Sequence, residues 1–170
     1  QAIDGEFDLG GQPDSIAHNA DNTILAIAIE NERDEDLNDG EIPQMPSGFL
    51  SIVTLTDGAV TEAGIKRVEL TGLSDVAGDD AEAEFVAFNG ADEIAVTLQE
   101  NNWVAIIDAK TGTVTGGFST GTTGVEGVDT KNDGNIDFSG TNKEVPREPD
   151  AIKWLDNERL VTANEGDWNG

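Results

Sequence analysis

The chain has 170 residues, and its 35 acidic residues against 9 basic ones leave a formal charge of −26. Such a surface repels nucleic-acid backbones and anionic membranes, which excludes both as partners and favours divalent cations as ligands. Cysteine is absent and apolar residues make up only 36% of the chain, so disulfide frameworks, cysteine metal sites and thiol nucleophiles are excluded, while a thin-layered β structure is affordable.

Along the chain, short runs rich in Val, Ile, Thr and Phe alternate with Asn, Asp and Gly turns, and no stretch keeps a capped 3.6-residue period. The first run, Pro13–Ile16, turns and re-enters as Ile24–Ile29, ending at Glu30 and Asn31. An acidic insertion, Glu32–Ser47, precedes Phe49–Thr54, and Asp57-Gly58 then marks a hairpin turn. The order recurs at Ala83–Val86, Ile94–Leu98 and Trp103–Asp108, with a turn at Thr111-Gly112, and begins again at Pro149–Ile152. The first two units match at an offset of 70, and the third follows at 66 and then 65. Stripped of insertions, a unit is about 40 to 50 residues, the length of a propeller blade.

The expected architecture is therefore an all-β β-propeller, here a fragment of about two and a half blades of a ring that closes with about four to eight. It forms one partial domain over 1–170, with blade-like units at about 10–80, 81–145 and 146–170, the last incomplete. No apolar run approaches the roughly 18 to 20 residues that span a bilayer, so no transmembrane segment is expected. Gln1–Asp8 lacks a basic region and an apolar core, so the expectation is that any signal peptide has been removed.

The repeat sets two groups of acids at equivalent positions: Asp14, Glu84 and Asp150, and Glu30, Glu100 and Glu165. Rings of carboxylates repel themselves unless protonated or bridged by a hard cation such as Ca²⁺ or Mg²⁺, which takes oxygen ligands. The amides of Asn31, Gln99, Asn101 and Asn164 stand beside them as further oxygen donors. The alternative is that these acids cap strand ends. Asp129–Asp137 follows the first nine positions of a calcium loop through Asp129, Asp133, Gly134, Ile136 and Asp137. Lys131 breaks the pattern, Gly140 stands where the bidentate Glu belongs, and an ordinary Asx/Gly turn is the alternative. Asp34, Glu35, Asp36, Asn38, Asp39 and Glu41 form a third acidic stretch, read as a solvated loop or a cation site.

His18, the only histidine, shares its repeat position with Phe88 and Trp154 and reads as a packing residue. The sequence assigns no catalytic side chain. Arg147 and Arg159 are the cations available to a phosphate, with Arg147 expected to pair with nearby acids, so hydrolysis would have to be metal-assisted.

The stretches GGQPDSIA (10–17), AIAIENERDEDLNDGEIPQMPSGFLSIV (26–53), LTGLSDVAGDDAEAEFV (70–86), VTLQENNWVAIIDAKTGTVT (96–115) and VPREPDAIKW…NERLVTANEGDWNG (145–170) resemble the choice-of-anchor I family. TLQENN and VTANEGD carry the resemblance most specifically, and it covers nearly the whole chain. These are large secreted or surface-anchored bacterial β-propellers, many labelled atypical alkaline phosphatases or phytase-esterase-like proteins. The resemblance implies a seven-bladed type of ring, an extracellular, cell-surface or periplasmic location, and dependence on a divalent metal. It also implies phosphomonoester hydrolysis, with phosphate esters as substrates. The other reading is a non-catalytic, calcium-stabilised extracellular propeller that serves as a binding or structural module. The family domain is far longer than this sequence, so the remainder of the same propeller is an expected partner.

Overall fold

The computed structural model describes residues 5–31, 34, 36–37, 43–131 and 133–166. Among these residues, twelve antiparallel strands form three blade-like sheets and one hairpin. The first sheet runs in chain order through β1 (Gln12–His18), β2 (Ile24–Glu30), β3 (Phe49–Thr54) and β4 (Ile65–Glu69). The second repeats that meander with β5 (Ala83–Phe88), β6 (Glu93–Leu98), β7 (Trp103–Asp108) and β8 (Thr113–Ser119). A hairpin of β9 (Thr122–Val128) and β10 (Gly140–Pro146) follows. The third sheet pairs β11 (Pro149–Trp154) with β12 (Leu160–Asn164). The innermost strands β1, β5 and β11 lie side by side, which is how propeller blades stand around an axis.

Residue alternation explains the stacking. In β2, ILAIAIE, the small Ala26 and Ala28 face one way while Ile27 and Ile29 face the other, and all four are buried. A strand covered on both faces needs this nearly continuous apolar run. Between the first two sheets, Ala26, Ala28, Leu50 and Ile52 meet Val86, Ile94, Val96 and Ile107. Between the second and third, Ala95 and Val104 receive Ile152, with Trp154 and Leu160 against them. Each fully buried Ile or Leu stabilises these seams by about 1.5–3 kcal/mol relative to exposure.

Two features position the site. The turns at one end are short and locally capped: Asn19 Oδ1 accepts from the Thr23 and Ile24 N–H groups at 2.9 and 3.0 Å, and Asn89 Oδ1 accepts from Ala91 and Glu93 at the same distances. Asp57 and Gly58, at φ 52° and 78°, make the tight hairpin turn that their sequence signals. The long connections, 31–48, 70–82 and 120–148, all leave from the opposite end. Secondly, each innermost strand carries a register shift near its start: between Pro13 and Ile16, Ala83 and Val86, and Pro149 and Ala151. These bulges hold Asp14, Glu84 and Asp150, and a bulge re-aims the side chain it carries.

Candidate metal centre

Pairing across the innermost strands corrects the repeat by one residue. Ile16, Val86 and Ile152 face Ile27, Val96 and Thr162, so β2 maps to β6 at an offset of 69 and β6 to β12 at 66. The turn before β6 is one residue shorter than that before β2, because Asn89 N–H reaches Glu93 O where Asn19 N–H reaches Ile24 O. Glu30 is therefore equivalent to Gln99 and Glu165. Glu100 lies one residue further, exposed in the turn after β6, and does not complete the ring the spacing suggested.

The structure instead gathers Glu30, at the end of β2, with Glu84, in the β5 bulge, and with Glu82, which the sequence reading missed. One carboxylate oxygen from each lies within 4.8 Å of the others, a grouping of three such ligands among the described residues. Glu82 is buried at 6% exposure, and Glu30 and Glu84 are half-buried. The signal for Glu82 was the AEAEF alternation, which sets acids two apart on one side of an extended strand.

Local bonding fixes the backbone here. Ser15 Oγ donates to the Glu84 carbonyl at 2.6 Å, tying the first two sheets together. Gln99 N–H donates to the Glu82 carbonyl at 3.2 Å, and Glu82 N–H to Asn101 Oδ1 at 2.9 Å. Gln12 Nε2 donates to Glu30 Oε2 at 3.4 Å. The electrostatics follow from crowding. Burial, and then the charges of Asp14, Glu30, Glu82 and Asp150, push the Glu84 carboxyl up from 4.5 to about 8. Asp14 and Asp150 are exposed, and their charges still act on Glu84. Such a group has two ways to relieve repulsion, holding a proton or holding a cation.

The other candidates have different surroundings. Glu165 Oε2 accepts from Gln99 Nε2 at 2.6 Å. Asn101 is spent on structure: Nδ2 donates to the carbonyls of Val76, Ala77 and Asp80 at 3.0, 3.1 and 3.0 Å, beside the Glu82 bond. Asn31 Nδ2 donates to Gln44 O and, at 2.7 Å, to Asp80 Oδ1, while Gln44 N–H donates to Asp80 Oδ2 at 2.8 Å. The fully buried Asp80 thereby fastens the 31–48 connection to the 70–82 connection as a wall beside the cluster. Asn164 is exposed at the end of β12.

In the calcium-like loop, Asp129 accepts from the N–H groups of Lys131 and Asp137, both at 3.1 Å. Asp133 accepts from Asn135 at 2.9 Å, and Asp137 from Ser139 at 3.0 Å. The bonds two residues apart are Asx-turn bonds, and the Asp137 bond to Asp129 closes the loop across eight residues. In the acidic insertion, Glu35, Asn38, Asp39 and Glu41 lie outside the described residues, and Asp34 Oδ1 caps the Asp36 N–H at 3.0 Å. The Arg147 guanidinium donates to the Thr120 carbonyl at 2.7 Å. Arg159 pairs with Asp156 at 2.6 Å. His18 is exposed, its Nδ1 2.9 Å from the Asn19 carbonyl, whereas Phe88 and Trp154 pack against the neighbouring sheet.

The choice-of-anchor I domain model matches residues 2–170. The chain belongs to the choice-of-anchor I family. Choice-of-anchor domains are typically found in secreted or surface proteins. No curated protein matches the chain. Among solved structures it is similar to Kuenenia stuttgartiensis hydrazine synthase, with a TM-score of 0.50 and 11% identity over 90% of this chain and 42% of that one. U3-55K and the WD40 repeats of RRP9 follow at TM-scores of 0.47 and 0.45, each 10% identical over 91% of this chain and 46% of theirs. The chain thus spans less than half the length of these three structures, and the likeness at this identity concerns the fold, a β-propeller. Among the described residues, no helix is long and apolar enough to cross a membrane.

Proposed function

We propose that this choice-of-anchor I chain holds a hard divalent cation, Ca²⁺ before Mg²⁺, at Glu30, Glu82 and Glu84, within a secreted or surface propeller. The observation that carries the reading is three carboxylates from two blades within 4.8 Å of one another, one of them deeply buried. Oxygen-only donors suit Ca²⁺ and Mg²⁺ rather than the softer metals that take thiolate or imidazole. Burial and the neighbouring acids push Glu84 up to about 8, so at neutral pH a bound cation would take the place of its proton.

Phosphomonoester hydrolysis is the activity proposed for the site. A bound divalent ion would supply charge neutralisation for the ester and acidify a water. In a chain of net charge −26 a phosphate is otherwise repelled. The chain's own residues contribute the wall: Asp80 and Asn31 fix the 31–48 connection, and Asn101 fixes Glu82. One specific observation favours the second reading, a calcium-stabilised module without catalysis. The cluster straddles the first seam, so an ion there braces two blades whatever else it does. The remainder of the same propeller is the proposed neighbour in either case.

Calorimetry of chelator-stripped protein with Ca²⁺, on the wild type and a Glu82→Gln/Glu84→Gln variant, tests the site. Binding that the variant loses supports it, and equal binding by both places the ion elsewhere. A chromogenic phosphomonoester assay then separates the readings. Turnover that a chelator abolishes while circular dichroism holds supports hydrolysis; tight Ca²⁺ binding without turnover supports the brace.

A further inference from the structure

The two four-stranded sheets end differently at their outer edges. β4 and β8 stand last in their sheets, and each keeps one edge without a strand partner among the described residues. The second sheet has a neighbouring blade on each side within the chain, and blades pack through their faces, so further blades of a ring leave the β8 edge outward. Unpaired edges attract other strands, and proteins guard them with short length, charge or a bulge. β4 is five residues, IKRVE, carrying Lys66, Arg67 and Glu69. β8 is seven, TVTGGFS, with no charge and six of its residues exposed. Its one guard is a register shift between Val114 and Gly116; from Gly116 to Ser119 its pairing with β7 is regular. The strand lies within the longest acid-free run of the sequence, 109–125, whose only charge is Lys110.

Two residues of β8 are unexplained by the chain's own packing, and they complement each other. A Cβ on Gly116 would meet nothing within 4 Å, and its φ lies outside the left-handed region. A glycine there weakens the strand without easing any crowding, and such a glycine marks a place where another backbone comes close. Gly117, by contrast, is required, because a Cβ there would lie 2.5 Å from Trp103 Nε1. Phe118 is 43% exposed. Gly116 and Phe118 pair with Ile106 and Val104, so ring and bare backbone stand side by side on one face of the sheet. An aromatic ring laid across a glycine of the adjoining strand covers the backbone that glycine leaves open.

We infer that a second copy of this chain pairs edge to edge with the first, β8 against β8, antiparallel about Gly117. In that register Gly116 of one copy lies opposite Phe118 of the other, and the twofold axis makes the same contact twice. Shape and charge together select the occupant. The edge fits an antiparallel strand with a ring two residues after a glycine, and β8 is such a strand. Two chains of net charge −26 repel over most of their surfaces, and the acid-free run lets their backbones meet with no carboxylate in register. The pair then shares one continuous sheet of eight strands, four from each copy. With one strand of each copy at the contact, the association is weak, reversible and strengthened by salt.

Sedimentation equilibrium of the chain from about 10 μM to about 1 mM, at low and high salt, measures the pairing. The expected mass rises from 17.9 kDa toward twice that value, with the midpoint at lower protein concentration in high salt. Phe118→Ala removes the ring and Gly116→Val fills its seat, and both positions are exposed. Valine suits a strand better than glycine, so urea denaturation should find Gly116→Val at least as stable as the wild type. Each substitution acts twice in a symmetric pair and should weaken association about tenfold. Hydrogen exchange locates the contact: the amides of Thr113–Ser119 should gain protection as wild-type concentration rises, and not in Gly116→Val. A mass that stays at 17.9 kDa throughout overturns the inference and leaves the edge to a strand of another protein. Association that neither substitution weakens, or protection gained elsewhere and not in β8, overturns it as well.

Discussion

Replacing Glu84 by Gln separates the cost of its charge from everything else at the first seam. The carboxyl is pushed from 4.5 to about 8, chiefly by burial. Between those values the folded protein holds a proton that the unfolded chain has released. Stability must therefore fall as pH rises through that window and level off above about 8. Taken at face value the shift is worth about 5 kcal/mol, but Glu84 is only half buried, and solvent screening leaves about 2 kcal/mol. Without metal, Glu84→Gln should match the wild type near pH 5 and exceed it near pH 9 by that amount. For this chain length the gap is about 4–8 °C in melting temperature. Added Ca²⁺ should reverse the order at pH 9, because only the wild type then has a partner for the charge. Thermal melts at half-unit pH intervals in chelator measure the gap. Curves that run parallel from pH 5 to pH 9, or a wild type that gains on the variant as pH rises, refute a crowded and desolvated Glu84.

Three further outcomes follow from the same packing. Asn101→Ala removes four hydrogen bonds at a site only 1% exposed and should cost about 2–4 kcal/mol in urea denaturation; a loss below 1 kcal/mol removes the network from the account. Gly48→Ala places a Cβ 2.7 Å from the backbone oxygens of both Ala81 and Ile29, so it should destabilise by about 1–3 kcal/mol, and a neutral result would show that the two connections part easily. Leu50→Ala empties a side chain that is 0% exposed between the first two blades and should lower stability by about 2–5 kcal/mol, read from the denaturation midpoint at constant m-value.

The β-propeller fold was legible because its signals are local and repeated. Alternating Ile and Ala in Ile24–Ile29, the Asp57-Gly58 turn and the return of the same order at Ala83 each follow from side-chain period or turn chemistry. The site was legible only in part. Asp14, Glu84 and Asp150 fall in equivalent bulges, and the offsets of 70 and 66 find them. Glu30 and Glu165 were set in one group by offsets of 70 and 65, but their middle member is not Glu100, because one residue lost from the turn after Asn89 moves the whole of β6 and substitutes Gln99 for it. Glu82 escaped because its counterpart in the first unit is Gln12, so no ring of like residues marked it. Asn31 and Asn101 looked like ligand amides in sequence, and only the loops folding back over them show that both serve the backbone and Asp80.

The substitution at position 99 explains why the cluster forms at the first seam and not at the second. Glu30 and Gln99 are equivalent, and the acids at matching places in the next blade are Glu82 and Glu84 in one case, Glu148 and Asp150 in the other. An amide in that place can donate, and Gln99 Nε2 does so to Glu165 at 2.6 Å, so the second seam is satisfied by an amide-to-carboxylate hydrogen bond. A carboxylate cannot donate, so the first seam requires a proton on Glu84 or a cation. Gln99→Glu should convert the second seam to the condition of the first. It exchanges a charge-assisted bond for repulsion with Glu165, at a cost of about 1–3 kcal/mol without metal. If a carboxylate in that position is what creates a cation site, Ca²⁺ should restore the lost stability and calorimetry should show one additional binding event. A variant that is destabilised but indifferent to Ca²⁺ would mean that position 30 alone does not make the first seam a metal site, and that the burial of Glu82 is the decisive difference.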